Sequence, residues 1–288
     1  MKSFSSAFVL DSQNQMPAPD TDSASSLRRA LKLLRILSQG DPEGLRLKDI
    51  AETAGCSQPT AHRMLQDLAA EGFAEQAAGK RYRLALDFYV LAARAGQASG
   101  LRDAARPALL RLSATLSDTI FLLVRNGFDA VCLDRVEGPF PIRSFTGDIG
   151  GKVPLGLGQG SLAILANLPE DEQEAVIRFN IPRLLDRGFL DEASLRSALA
   201  LARAQGWVNT STGLIPGMAG VGVPVLDAQG RAVAALSVGT LAERLNADRL
   251  PHVVKILQSE AQALAGKLNP FDVALRYPSR SLSTIGGS

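Results

Sequence analysis

The run Leu47–Leu68 constrains this chain more than any other stretch. It predicts a helix, a tight turn and a second helix. Ala51 is small enough for another helix to cross close by. Gly55 follows and supplies a turn whose backbone angles most residues avoid. Ile50, Ala54, Leu65 and Leu68 fall on the inward faces of the pair. Ser57 is a good N-cap for the second helix, and Pro59 lies in its first turn, where a missing N–H does little harm. The outward face offers Ser57, Gln58, Thr60, His62 and Arg63, side chains able to reach phosphates and base edges. Many helical hairpins with no nucleic-acid function share the Ala-x-x-x-Gly spacing, so this segment alone leaves both readings open.

The next stretch narrows them. Phe73–Leu84 predicts strand, Gly-containing turn and strand, with Lys80, Arg81 and Arg83 at or beside the turn. A β-hairpin directly after a recognition helix is a wing, and a basic tip suits a phosphate backbone or the adjacent minor groove. Basic residues alone fit any solvated hairpin. Helix pair and basic wing together are a much narrower coincidence.

Charge agrees with a local footprint only. The 288-residue chain has a net charge of +2, which excludes a global basic field. Residues 26–85 hold ten basic against seven acidic side chains, a local excess of +3. The length suits two domains. Cys56 and Cys132 stand far apart among apolar neighbours and read as core residues of a reducing compartment, rather than a redox pair. With two histidines no metal-ligand spacing occurs, and neither a metal nor a cofactor is expected. The start is too short and serine-rich for a signal peptide, and no apolar run is long enough to span a bilayer, so a cytoplasmic location with no membrane partner is expected.

Along the chain, residues 1–25 are polar and aperiodic and predict a disordered arm. Leu27, Ala30, Leu31, Leu33, Leu34 and Leu37 recur at helical spacing, so the winged helix-turn-helix is expected over 26–85. Two Ala/Leu-rich helices over 86–117 predict a helical linker, the first with a greasy face for a partner subunit. From Asp118 the pattern changes to that of an effector-binding domain, 118–268. Thr119–Arg125, the turn Asn126-Gly127 and Ala130–Val136 predict a hairpin, with Ile142–Phe145 as a third strand. Helices follow near 159–167, 170–178 and 191–205. A second hairpin, Ala219–Leu226 and Ala232–Val238, precedes a final helix over 247–267. The pattern is α+β with an antiparallel sheet. Residues 269–288 predict a flexible tail.

The chain resembles the IclR-type bacterial transcription regulators, named for the isocitrate lyase regulator. The matching residues are Ser26–Leu34, Leu47–Ala51, Thr60–Leu68 and Arg81–Leu84 in the first half. In the second half they are Val153-Pro-Leu155, Arg203–Trp207, Val223–Gly230 and Ala234–Val238. The resemblance covers about residues 26–267. It implies a winged helix-turn-helix, a helical linker and a GAF-like effector domain. It also implies double-stranded DNA with a palindromic operator as partner, self-association as a dimer or tetramer, and a small organic acid as effector. By it, Ser57, Gln58, Thr60 and Arg63 face the major groove, and Lys48, Lys80, Arg81 and Arg83 contact phosphates or form the wing's contacts. Arg28 is either a backbone contact or part of a solvated face, and His62 is an inert surface histidine.

Gly156–Gly160 invites comparison with a dinucleotide loop, but the spacing is wrong and no parallel strand–helix unit holds it. It reads either as a plain loop or as a glycine-rich entry into a helix N-terminus, where free N–H groups favour a carboxylate. In the second reading Ser161 adds a hydroxyl. The resemblance lines the pocket with Leu155, Gln159, Gly160, Thr210, Gly220, Ser237 and Gly239. Thr210, Gly220 and Gly239 replace an acid, a cysteine and a serine of the family's small-acid binders. Shorter side chains at these positions predict a larger ligand, an aromatic or branched carboxylate. Arg125, Arg135 and Arg143 either neutralise its charge or are ordinary strand arginines.

The leading expectation is therefore a sequence-specific, effector-modulated transcription regulator. One alternative is a small-molecule enzyme, against which stands the lack of a nucleophile–base pair, a Gly-x-Ser-x-Gly elbow or a partner for His62 or His252. The other is a protein-interaction module with a winged domain.

Overall fold

The computed structural model describes residues 22–41, 43–91, 100–140, 142, 148–186, 191–209 and 217–267. The chain divides into two compact units, residues 1–95 and 96–288.

In the first unit, α1 (Asp22–Leu37), α2 (Leu47–Ala54) and α3 (Gln58–Ala70) surround a small core of Leu33, Ile36, Leu37, Ile50, Met64 and Leu65. Helix α1 starts inside the stretch expected to be a disordered arm. Gly55 closes α2 at φ 70°, in the left-handed region that the turn requires. Strands β1 (Leu45–Arg46), β2 (Ala74–Ala77) and β3 (Arg81–Leu84) form an antiparallel sheet in the order β1-β3-β2. The β2–β3 hairpin is the expected wing, turning at Gly79 (φ 71°) and Lys80 (φ 56°). Residues 86–91 are helical (α4), with Leu86 and Tyr89 each 71% exposed.

The second unit is a three-layer α/β/α arrangement around one antiparallel sheet, ordered β6-β5-β4-β9-β8-β7. Its strands are β4 (Thr119–Asn126), β5 (Asp129–Val136), β6 (Lys152–Pro154), β7 (Val208–Asn209), β8 (Met218–Leu226) and β9 (Ala232–Leu241). The two expected hairpins join through β4 and β9, placing both in the middle. Alternation along β4 sends Ile120, Leu122 and Val124 to one face and Phe121 and Leu123 to the other. The first face is covered by α5 (Leu101–Leu116) and α9 (Leu250–Ala265). The second is covered by α6 (Gln159–Ala166), α7 (Glu170–Leu185) and α8 (Glu192–Gln205).

Three expectations change. The second linker helix is α5, and it is a layer of this unit, burying Leu101, Ala105, Leu109, Leu112 and Leu116 against the sheet. The edge strand on β5 is Lys152–Pro154. Ile142 lies outside any strand, while residues 143–145 fall outside the described residues. Helix α7 continues past residue 178 to Leu185. The expected tail, 269–288, is outside the described residues. No described helix is long and apolar enough to cross a membrane.

Candidate nucleic-acid interface and effector site

Ser57 caps α3 with extended backbone angles, accepting from the Thr60 N–H at 3.4 Å while the two hydroxyls lie 2.8 Å apart. The cap satisfies one of the orphan donors at the helix start and holds Thr60 beside it. Gln58 and Arg63 are exposed on the same helix, Lys48 on α2 and Lys80 at the wing tip. Among the described residues, no hydrogen bond or ion pair engages these four side chains. Arg28 is exposed on α1.

Two wing arginines behave differently from expectation. Arg81 is half-buried and donates to the Gly44 carbonyl at 2.8 Å, strapping the wing to the loop before β1. Gly44 permits this because its φ is +89° and a Cβ there would stand 2.7 Å from the Tyr82 carbonyl oxygen. Arg83 pairs with Glu75 directly across the hairpin at 2.6 Å. Both are roughly half exposed, so that pair is weak and exchangeable. His62 is not an inert surface residue. Its ring is half-buried and stands edge-on to Tyr82, with 6.4 Å between centroids and 84° between planes. The contact ties α3 to β3, the middle strand of the sheet. Lys32, counted in the sequence only as a charge, donates to the Ala54 carbonyl at 2.9 Å and closes the end of α2.

In the second unit the N-terminus of α6 lies directly on the sheet. A Cβ on Gly222 would stand 2.5 Å from the Gln159 carbonyl oxygen and 2.8 Å from the Gly160 nitrogen. Only glycine on β8 allows that approach, which brings the first-turn N–H groups of α6, which have no acceptor within the helix, against β8 and β9. Ser237 sits beside Gly160; it is 2% exposed, and no described residue hydrogen-bonds its hydroxyl. Leu155 is fully buried at the base of the loop. The Gln159 side chain donates to the Val238 carbonyl at 3.1 Å. Thr210 and Arg143 lie outside the described residues.

The structure corrects the expectation that short side chains leave room. Gly220 and Gly239 are paired across β8 and β9, but the space over them is taken. A Cβ on Gly220 would collide with the Gln159 carboxamide, and one on Gly239 would stand 2.6 Å from Ile142 Cδ1 and 3.2 Å from Phe121. Ser161 is also committed: it donates to the Leu157 carbonyl at 2.6 Å and accepts from the Gly156 N–H at 3.2 Å, stiffening the loop. Arg125 pairs with Glu172, and Arg135 with Glu137 at 2.6 Å and Asp148 at 3.0 Å.

Other buried polar groups had no sequence signal. Asp118 is fully buried and accepts from Arg244, Arg249 and Thr240. Asn180 is fully buried and donates to the Phe128 and Leu155 carbonyls at 2.7 and 2.9 Å. Burial pushes the Cys132 thiol up to about 12, so this cysteine is a neutral core group.

Comparison with known proteins gives the arrangement its family. The model for the bacterial transcriptional regulator IclR C-terminal domain matches residues 94–265, and that for the IclR helix-turn-helix domain matches residues 26–78. The HTH-type transcriptional regulator BhcR of Paracoccus denitrificans is 30% identical over 259 residues, covering 88% of this chain and 90% of the relative. The glycerol operon regulatory protein of Streptomyces griseus is 31% identical over 227 residues, covering 78% and 88%. The crystal structure of an IclR homolog from Microbacterium hydrocarbonoxydans, complexed with 4-hydroxybenzoate, superposes with a TM-score of 0.71 at 25% identity, covering 84% of this chain and 98% of that one. The helix-turn-helix with its wing and the helix-covered antiparallel sheet that follows in the chain are the two halves of one regulator, and the chain belongs to the IclR family of bacterial transcriptional regulators.

Proposed function

We propose that the protein reads a palindromic operator as a homodimer or homotetramer, and that a small organic acid modulates the binding. The observation that carries the DNA half is the set of exposed, unengaged side chains on the helix-turn-helix and its wing: Gln58 and Arg63 on α3, Lys48 on α2 and Lys80 on the wing. Ser57 and Thr60 complete it at the helix start. In this reading Arg63 forks onto a base edge, while Lys48, Lys80 and Arg28 hold phosphates. Arg83 joins them by exchanging Glu75 for a phosphate. Two copies place two α3 faces in successive major grooves, about one helical turn apart or a multiple of that.

The test is a gel-shift titration with a duplex selected by the protein itself from a random pool. Arg63→Ala is expected to lose about 1–3 kcal/mol of affinity and to relax the preference at one base position per half-site. Unchanged affinity and unchanged preference would sink the assignment.

The effector half rests on the first turn of α6. Its N–H groups, the helix dipole and the unpaired Ser237 hydroxyl form a cradle for a carboxylate. The 4-hydroxybenzoate complex of the Microbacterium homolog supports including aromatic acids in the class. Calorimetry with a panel of short and aromatic acids tests this half, and Ser237→Ala is expected to weaken every acid that binds.

A further inference from the structure

Gly220 and Gly239 give two strands a shared patch with no side chain, on the sheet face that α6 covers. The carboxamide of Gln159, from the first residue of α6, lies over Gly220 and donates to the Val238 carbonyl at 3.1 Å. The methyl end of Ile142 lies over Gly239. The sheet has no Cβ at either place, and the atoms nearest each position, the Gln159 carboxamide and the Ile142 methyl end, belong to side chains borne elsewhere that can move, beside the fixed Val238 carbonyl and the Phe121 ring.

We propose that Gln159 is the specificity-determining residue of the effector site, a displaceable plug over the Gly220–Gly239 patch that sets how long an organic acid the site accepts. The inference rests on the effector reading given above. A carboxylate held by the first turn of α6 beside Ser237 lies one residue from the plug, because Gln159 and Gly160 are neighbours and Ser237 faces Gly160. A two- or three-carbon acid ends before the Gln159 carboxamide. A ring-bearing acid runs on to the glycine patch, where flat peptide surface suits an aromatic face. To reach it, the ligand must lift the Gln159 amide off the Val238 carbonyl. A long acid with a hydroxyl at its far end replaces the donor it displaced; one without a hydroxyl leaves that carbonyl only the pairing of the strand ladder.

The side chain at 159 and the residue at 220 are therefore sterically linked. A side chain at 220 would collide with the Gln159 carboxamide as well as with the Val238 carbonyl oxygen, and a shorter residue at 159 uncovers the patch. The Gln159–Val238 hydrogen bond alone contributes roughly three- to tenfold in affinity to the discrimination.

The test is calorimetry on the full chain with glyoxylate, pyruvate, benzoate and 4-hydroxybenzoate. It compares the wild type with Gln159→Ala and Gln159→Met. In Gln159→Ala, benzoate and 4-hydroxybenzoate are expected to tighten about three- to tenfold relative to glyoxylate. Gln159→Met keeps the length but not the amide donor, so it is expected to give a smaller gain. A general loosening of the fold moves all four acids together and would not reorder them. Acids that bind the wild type and keep the same ranking in both variants overturn the inference alone. If none of the four binds the wild type, the effector reading falls and the inference with it. Thermal melts identify a variant that fails to fold, in which case the other carries the comparison.

Discussion

The Arg249 guanidinium reaches to 2.6 Å from the carboxylate of Asp118, a side chain closed off from solvent. Arg244 takes the other oxygen at 3.0 Å, and the Thr240 hydroxyl donates to that same oxygen at 2.8 Å. Arg249 also donates to the Leu116 carbonyl at 2.7 Å. One buried charge thus joins the end of α5, the end of β9 and the entry to α9. Such a charge is tolerated because both oxygens are met.

Removing Asp118 leaves two guanidinium groups facing each other with no counter-charge. Asp118→Ala is therefore expected to destabilise the second unit by about 3 kcal/mol, the lower end for a broken buried pair. The lower end applies because the two arginines are 27% and 24% exposed and can turn to water. Urea denaturation followed by tryptophan fluorescence measures it, since Trp207 packs against this core. A loss below about 1 kcal/mol would show that the charge is not structural.

Lys80 and Arg81 are neighbours with opposite expectations. Lys80 is exposed at the wing tip, so Lys80→Ala is expected to weaken DNA binding evenly across sequences and to lower the salt slope by about 1. Arg81 is held by the Gly44 carbonyl, so Arg81→Ala is expected to leave the slope unchanged. It should instead cost about 1–3 kcal/mol of stability in the first unit, by leaving that carbonyl unmet. Filter binding at several salt concentrations, beside thermal melts, separates the two. A slope reduced equally by both substitutions would make Arg81 a phosphate contact.

The sequence made the first unit readable because its signals are local. Ser57, Gly55 and the Gly79 turn each act within a few residues, and helical spacing places Ile50 and Leu65 without reference to anything distant. The state of a charged side chain is not local. Arg81 finds its acceptor 37 residues away and Arg125 its carboxylate 47 residues away, and nothing near either announces the partner. Alternation along β5 is broken for a related reason. A register shift between Leu122 and Leu123 sets Asp134 opposite Leu122 and Cys132 opposite Leu123, so residues two apart face different layers. Helix α5 has an apolar stripe, but a stripe does not say what it packs against. Gly220 and Gly239 suggested open space because a sequence shows a missing side chain and not the neighbour that fills the gap.

The cysteines should react unequally. Cys56 is half-buried in the turn before α3, and Cys132 is buried on β5, in the core between the sheet and the layer of α6, α7 and α8. Burial disfavours the Cys132 thiolate and lifts its pKa to about 12, with nearby Arg135 opposing the shift. The native protein at pH 8 is expected to take up one equivalent of a thiol reagent, at Cys56, and a second only on unfolding. The folded pKa lies above the unfolded value of about 8.5, so the neutral thiol's contribution is intact below that pH. It erodes as the pH rises from there towards 12. Cys132→Ala is expected to flatten that part of the stability profile, and an equally steep decline in the variant would assign it to other groups.

Asn180 offers the sharpest contrast between shape and hydrogen bonding. Its amide nitrogen donates to the Phe128 carbonyl at the tip of the β4–β5 hairpin and to the Leu155 carbonyl before α6. Its oxygen accepts from Arg183 at 2.7 Å, and Arg183 continues to Asp129 at 2.8 Å. One side chain on α7 thus positions the loop that feeds the candidate effector site. Asn180→Ala takes the side-chain donor from the Leu155 carbonyl and leaves the Phe128 carbonyl with the Leu155 N–H alone, and it is expected to cost about 1–3 kcal/mol. Asn180→Asp has nearly the same shape and keeps the acceptor for Arg183, yet it aims a carboxylate at two carbonyl oxygens. It is therefore expected to be at least as destabilising as alanine at neutral pH. Urea midpoints for the two variants decide it, with amide exchange at Leu155 and Leu157 as the local readout. An aspartate variant close to wild type in both would mean that packing, not donation, fixes the loop.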